Sequence, residues 1–459
     1  MTSEPQFLEA PEQVLSTLNP DGTRRWLHPR LAKGRWWRRR RLVAWFLIAL
    51  FNLLPWIRIG GKPAILLDVA NRDFAFFGAS FRPTETPLLA LFLLAVFLGI
   101  FYLTALVGRA WCGWGCPQTV YLEFLYRPLE RLIEGKSYSS GRRQAPLWRK
   151  VVRLGVFTVV SAHLAHTFLA YFVGGPTVFR WSLGSPAEHP VGFALVWVVT
   201  GLMLIDFAWF REQLCILACP YGRLQSVLLD RNSLIIGYDA ARGERRGKMG
   251  ERKGGTGGFG DCVDCGLCVA ACPTGIDIRD GLQMECVACA ECIDACDSVM
   301  ARTGRAPGLI RYASQESLAG GRTRWLRPRT VAYPLVLGLI LALFLGTLLG
   351  RASAMVQIRR STGAAFELLP DGRVRNLATF RIDNRTDQER RYTISLPAGV
   401  EGMIPVNPVV VAAGDSGIAV VHLYLPREAF SAGKATIPIT IRDGVDFEQV
   451  VEYPALGPL

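Results

Sequence analysis

The fold class that this sequence predicts is a polytopic α-helical membrane protein of about five spans, with a small cysteine-rich module before the last span and an all-β domain after it. Three observations predict it. Half of the 459 residues are apolar, and five stretches approach the length of about 20 residues that a bilayer crossing needs. Eight of the twelve cysteines repeat a single spacing. Beyond the last apolar stretch, residues 351–459 break into short alternating runs.

The spans are Leu42 to Ile59, Pro87 to Val107, Val151 to Gly174, Val191 to Phe210, and Val331 to Leu349. The first is short, carries Asn52 and Pro55 and ends at Arg58, so a re-entrant or interfacial helix is its alternative. Charge orients the set. The net charge of +14, from 52 basic and 38 acidic residues, lies almost wholly before the last span. Segment 1–41 ends in RWWRRRR, and the loop after the second span holds Arg127, Arg131, Lys136, Arg142, Arg143, Arg149 and Lys150. The positive-inside rule puts both in the cytoplasm, together with the segment from Arg211 to Arg329, and it puts the C-terminal domain outside. The basic residues read as a membrane-flanking charge belt rather than as a nucleic-acid surface. The polar residues 1–40 and the apolar run behind them show no small-residue cleavage pattern, so no cleavable signal peptide is expected.

The repeated spacing is C-x-x-C-x-x-C-x-x-x-C, at Cys262, Cys265, Cys268 and Cys272, and again at Cys286, Cys289, Cys292 and Cys296. In bacterial ferredoxins this spacing holds two [4Fe-4S] cubanes, three thiolates of each run on one cluster and the fourth on the other. One cluster then takes Cys262, Cys265, Cys268 and Cys296, and the second takes Cys286, Cys289, Cys292 and Cys272. Zinc ribbons need pairs of Cys pairs rather than triplets, and disulfide scaffolds suit small secreted chains. The implied chemistry is one-electron transfer, and a reducing cytoplasm suits free thiolates. The stretch ARGERRGKMGERKGGTGGFGD, Ala240 to Asp261, reads as a flexible tether for the module, with a plain domain linker as the other account. No glycine-rich dinucleotide fingerprint follows a strand, so the electron donor is expected to be external.

Four cysteines remain. Cys112 and Cys116 in GRAWCGWGCPQT follow the second span, and Cys215 and Cys219 in REQLCILACPYGR follow the fourth. Each pair is C-x-x-x-C-P. A spacing of four places both sulfurs on one helical face, and the proline strains or breaks the helix there. Each pair sits between an apolar hairpin and an amphipathic stretch, which reads as an internal repeat. If the halves pack side by side, four soft sulfurs converge. Such a set binds Cu(I), holds a third iron-sulfur centre, or cycles between dithiols and disulfides; buried inert cysteines are the plain alternative. His163 and His166 share a face of the third span and are weaker candidates for copper, haem or quinone contact, against a simple hydrogen-bonding role. Asp206 in the fourth span is expected to pair with a base such as Arg211.

After the last span, ATFRID, RYTISL, PVVVAA, GIAVVHLYL, ATIPITIRD and FEQVVEY alternate between turn residues. They predict a small antiparallel sandwich of immunoglobulin-like architecture. The domain boundaries that follow are 1–41 (cytoplasmic basic segment), 42–221 (four spans with both C-x-x-x-C-P motifs), 222–261 (amphipathic segment and linker), 262–328 (ferredoxin), 329–350 (fifth span) and 351–459 (immunoglobulin-like).

The stretches GRAWCGWGCPQTV, REQLCILACPYGR, GDCVDCGLCVAACPTGIDIRDGLQMECVACAECIDACD and GLIRYASQ resemble the cytochrome c oxidase accessory proteins called CcoG, FixG or RdxA. Resemblance runs from about Trp26 into the C-terminal domain. It implies a bacterial cytoplasmic-membrane polyferredoxin that supports assembly of cbb3-type oxidases. The implied chemistry is reduction of Cu(II) to Cu(I), with oxidase subunits or copper-delivery proteins as partners. The eight ferredoxin cysteines carry over as cluster ligands, and Cys112, Cys116, Cys215 and Cys219 as the family's membrane-edge pairs. One departure is Asp297 after Cys296, where Pro273 follows Cys272. Two other readings compete: a quinol-linked electron conduit to a periplasmic partner, and a copper-binding assembly scaffold that turns nothing over.

Overall fold

The computed structural model describes residues 16–19, 21, 23–59, 62–69, 73–77, 79–81, 86–135, 146–253, 258–359, 366–386 and 388–458. The chain divides into two compact units, Met1–Phe77 with Pro83–Leu343, and Gly78–Arg82 with Phe344–Leu459.

The first unit opens with helix α1 (Arg35–Leu53) and continues through α2 (Thr86–Val107), α3 (Ala110–Trp114), α4 (Pro117–Tyr121) and α5 (Arg127–Glu134). Then come α6 (Leu147–Val173), α7 (Gly175–Leu183), α8 (Pro190–Leu204) and α9 (Pro220–Leu228). Among the described residues four helices are long and apolar enough to cross a membrane: Pro87–Val107, Leu147–Val173, Pro190–Phe210 and Pro328–Leu349. These agree with four of the five expected spans. The span expected first, at Leu42 to Ile59, is not among them: α1 starts earlier, inside the arginine run, and ends at Leu53, just before a single 3-10 turn that contains Pro55. Only Leu42 to Leu53 is free of arginine, about 18 Å of helix against a hydrocarbon core of about 30 Å. Even so, α1 lies along α6 to its far end. Tyr171 Oη donates to the Phe51 carbonyl at 2.8 Å, and His163 Nε2 is 2.9 Å from Asn52 Oδ1.

The expected tether is bound down. Strand Ile235–Tyr238 pairs antiparallel with Ile310–Ala313 and is buried throughout. After it, Gly247 N–H donates to the Cys262 carbonyl at 3.3 Å, the Arg252 guanidinium reaches the same carbonyl at 2.5 Å, and Cys262 N–H meets the Gly243 carbonyl. The basic run spends its side chains on the cluster-binding loop, so composition alone misread it; residues 254–257 of that stretch lie outside the described residues. The module therefore begins upstream of residue 262. Its core is Ile236, Ile276, Ile278, Ile293, Met300, Leu309 and Ile310, under helices α10 (Leu267–Ala271) and α11 (Glu291–Arg302).

Helix α12 (Pro328–Leu349) carries the fourth of these apolar helices. The second unit is a two-sheet β-sandwich, as the alternation predicted. One sheet orders the strands Glu401–Met403, Ser416–Leu425, Val374–Asn384 and Ala354–Arg359, with Glu367–Leu368 off the second of the long strands; the other orders Val409–Val411, Arg390–Ser395, Lys434–Arg442 and Glu448–Leu456. Phe380, Ile382, Tyr392, Val421, Leu423 and Ile439 fill the space between them without exposure. The period-2 burial along Val374–Asn384 and Ser416–Leu425 is what one buried face requires.

Candidate functional site

Eight thiols line two cavities. The first is lined by Cys268, Cys272, Cys286, Cys289 and Cys292. The second is lined by Cys262, Cys265, Cys268 and Cys296. Cys268 lines both; the other seven sort as the two crossed sets read from the spacing, so the donor chemistry fits a cubane in each. The two runs share a backbone as well: Asp264 and Gly266 in one, Ala288 and Ala290 in the other, all have φ between 46° and 65°. Alanine in this region is strained, and the turn it makes wraps the chain around the thiols. Backbone N–H groups of Thr274, Gly275 and Ile276 point at the Cys272 sulfur and favour its thiolate, although burial is the larger effect and pushes this thiol up. Burial likewise pushes Cys268 and Cys286 up to about 11 in the bare protein, and Cys296 up to about 12. Iron ligation is what would keep such buried thiols deprotonated.

The two C-x-x-x-C-P motifs fold alike. Cys116 and Cys219 are both extended, each donates its N–H to the carbonyl five residues back (Trp111 at 2.9 Å, Leu214 at 2.8 Å), and each is followed by a proline that opens the next helix. Proline at the first helical position loses nothing, because that N–H has no intrahelical partner anyway. The two sulfurs of a pair therefore sit on successive short helical pieces rather than on one helical face, which corrects the expectation from spacing. Three π-helical turns flank them, Leu122–Tyr126, Ile205–Phe210 and Leu214–Ala218, a form concentrated at functional sites. Cys112 and Cys215, one from each motif, pack in the same cluster, so the repeat does bring the two motifs together. Burial pushes Cys215 up to about 12 and Cys112 and Cys116 up less far. Cys112 Sγ lies 3.0 Å from Gln225 Oε1. All twelve cysteines are free thiols, and among the described residues no three Cys, His, Asp or Glu side chains are grouped to grip a single metal ion.

The ferredoxin module sits directly on this thiol cluster. Cys112 packs with Val287 and Cys289, and Cys215 and Tyr221 close the same contact. Gly113 is the point of closest approach: a Cβ there would stand 2.6 Å from the Val287 carbonyl oxygen and 2.8 Å from that of Ala288. Helix α1 completes the joint. Asp294, between Cys292 and Cys296, accepts from the N–H groups of Trp36 (3.1 Å) and Trp37 (2.7 Å), so the module's carboxylate serves the N-terminus of α1. Trp114 Nε1 donates to Tyr312 Oη at 3.0 Å, and Tyr312 Oη to the Ala288 carbonyl at 2.6 Å. Arg40, 1% exposed, donates from Nε to the Gly113 carbonyl and from Nη1 to Glu291, both at 2.9 Å. Arg40 was read as part of a solvated belt; it is instead inside the protein. The signal available in the sequence was Glu291, an acid set between two cluster cysteines.

A buried ion-pair network ties the two halves of the repeat. Arg127 reaches Glu123 and Glu212, Arg211 pairs with Glu130, and Arg153 with Glu130 and Glu134. Asp206 was expected to pair with Arg211; its carboxylate accepts from Gln118 at 3.0 Å, and Arg211 gives its guanidinium to Glu130. His163 and His166 take Asn52 and the Ala162 carbonyl as partners. Removing one partner of a buried pair strands the other charge, at a cost of about 3–5 kcal/mol. Glu212→Ala should therefore lower the unfolding free energy of the purified protein by that much, while Arg231→Ala, whose pair with Glu316 is exposed, should change it by about 0–1 kcal/mol. Equal effects would mean that the network does not hold the two halves.

Comparison with known proteins agrees with this architecture. A family described as "4Fe-4S dicluster domain" matches residues 210–315, one described as "4Fe-4S binding domain" matches residues 89–136, and one described as "IG-like fold at C-terminal of FixG" matches residues 344–455. Protein RdxA of Cereibacter sphaeroides is 34% identical, over 88% of this chain and 90% of that one. Nitrogen fixation protein FixG of Rhizobium meliloti is also 34% identical, over 86% and 82%. The chain belongs to the FixG/RdxA family. A crystal structure of a FixG-related protein from Vibrio parahaemolyticus matches 24% of this chain and all of its own, at 19% identity and a TM-score of 0.21. As a FixG/RdxA-type protein the chain is an iron-sulfur electron-transfer protein built into a membrane, with an immunoglobulin-like C-terminal domain. The match at 89–136 covers Cys112 and Cys116 and the match at 210–315 covers Cys215 and Cys219, so both membrane-edge pairs lie within iron-sulfur families.

Proposed function

We propose that this FixG/RdxA-type protein reduces Cu(II) to Cu(I) at the four membrane-edge sulfurs and so supports copper delivery to a cbb3-type oxidase. One observation carries the reading: the loop Val287–Cys289, which lines the first cavity, packs on Cys112 and Gly113, so an electron held there is in contact with the thiol cluster. The copper ion is the substrate. Each turnover takes one electron, supplied by a reduced one-electron carrier from the cytoplasm, and thiolates favour the product Cu(I) over Cu(II). Electrons come in at the second cavity, where Cys265 is the exposed cysteine. The chain sits in the bacterial cytoplasmic membrane with its N-terminus and ferredoxin module inside and its C-terminal domain outside, α1 supplying the fifth crossing. Support for that crossing is the contact of α1 with α6 as far as Tyr171, and support for the orientation is the arginine run at the other end of α1.

Cys116→Ser and Cys219→Ser test the reading. Neither residue lines a cluster cavity, so each variant should keep about eight irons per chain. Anaerobic Cu(II) reduction, followed as loss of the Cu(II) EPR signal, should fall about a hundredfold or more. Retained reduction in both variants would remove these sulfurs from the reaction.

A further inference from the structure

The two cavities differ in the charges around them. Beside Cys272, Cys286, Cys289 and Cys292 stand two buried guanidiniums. Arg40 interacts with Cys289, and its Nη2 is buried with no partner among the described residues. Arg109, 5% exposed, interacts with Cys286 on one side and with Cys112 and Cys215 on the other; one nitrogen donates to the Met284 carbonyl, and its buried Nε has no partner among the described residues. Glu291 is the single acid bonded to this pair among the described residues. Around Cys262, Cys265, Cys268 and Cys296 the balance is reversed. Arg279 lines the cavity and acts on Cys268, but its guanidinium is shared between Asp264 and Asp277 at 2.7 and 2.6 Å; Asp297 acts on Cys296; and the cations near Cys262, Arg252 and Arg305, are part-exposed and spend nitrogens on carbonyls.

An electron added to a cluster is added negative charge. A buried, unscreened cation stabilises it, and net charge and hydrogen bonds to sulfur are principal controls of cluster potential. Burial opposes this, because a dry site disfavours added charge, so the deeper cavity would be the poorer acceptor without its cations. We infer that Arg40 and Arg109 are positioning residues that raise the reduction potential of the site formed by Cys272, Cys286, Cys289 and Cys292 above that of its neighbour, and so give the module a direction. Electrons then move from the exposed Cys265 side to the side that touches Cys112. The orphaned Nη2 of Arg40 and Nε of Arg109 supply donors for sulfur that no group among the described residues occupies. This inference rests on the iron-sulfur reading of the eight thiols and is independent of copper.

The test is an EPR-monitored redox titration of the full chain in detergent, with iron counted. The wild type should show two waves. Arg40→Gln should move the higher-potential wave down by a tenfold change in its equilibrium, about 59 mV for a one-electron couple, and leave the lower wave in place. Glu291→Gln, which removes the counter-charge and keeps the cation, should move the same wave up. Arg40→Lys should restore most of the shift, which a merely structural role would not predict. If Arg40→Gln sheds iron, Arg109→Gln reads the same wave from the other side. Movement of the lower wave, or movement of neither at full iron content, overturns the inference. A wild type with far fewer than about eight irons overturns the iron-sulfur reading itself.

Discussion

Cys289→Ser should yield a chain that holds about four irons in place of about eight and passes no electrons to the membrane-edge sulfurs, even with dithionite as the reductant. The mirror variant, Cys265→Ser, should also keep about four irons, but dithionite should still drive electrons to those sulfurs. The difference follows from position. Cys289 lines the cavity whose loop packs on Cys112, whereas Cys265 lines the outer cavity and is exposed to solvent. Removing the inner site breaks the contact between the module and the membrane; removing the outer one breaks only the contact with a protein donor, which a small reductant bypasses. Each variant, reduced with dithionite and then freed of the excess so that only its clusters hold electrons, is mixed with Cu(II) in stopped flow, and the loss of the Cu(II) signal separates the two cases. If both variants transfer equally well with dithionite, the order outer to inner to membrane edge is wrong.

Much of this arrangement was legible in the sequence because it is written in local spacing. The crossed ligand sets come from two identical runs of four cysteines, and the cavities sort Cys272 and Cys296 as the spacing does. The sandwich is equally local: a strand with one buried face must alternate, and Ser416–Leu425 does. Contacts made across long separations were not legible. Arg40 and Glu291 are 251 positions apart, and an arginine in RWWRRRR looks like its neighbours until a partner is known. The same ambiguity affects residues 240–253, where glycine and arginine describe a linker and a folded binding strap equally well. The first span was misplaced for a related reason. Hydropathy scores each residue as if it faced lipid, but Arg40 faces protein, so the helix extends into the charge run.

Gly113→Val should uncouple the module from the membrane site while leaving the ligands of both unreplaced. The space at Gly113 is bounded by backbone: the Val287 and Ala288 carbonyl oxygens at 2.6 and 2.8 Å and the Ala288 carbonyl carbon at 2.9 Å from where a Cβ would stand. Backbone cannot step aside as a flexible side chain does, so the loop Val287–Cys289 must move off Cys112. No cluster or membrane-edge cysteine is replaced, and with Cys289 carried along by the loop as a ligand the iron count should match the wild type. Transfer between them should still fall, because the electron's path through the Val287–Cys289 contact is lengthened. The Arg40 Nε bond to the Gly113 carbonyl would be strained by the same movement, so the higher-potential wave should drop as well. A Gly113→Val protein with normal clusters and normal transfer would mean that electrons reach the membrane-edge sulfurs by another route than the Val287–Cys289 contact. Loss of iron from it would mean that the contact is needed to assemble the inner site, not only to connect it.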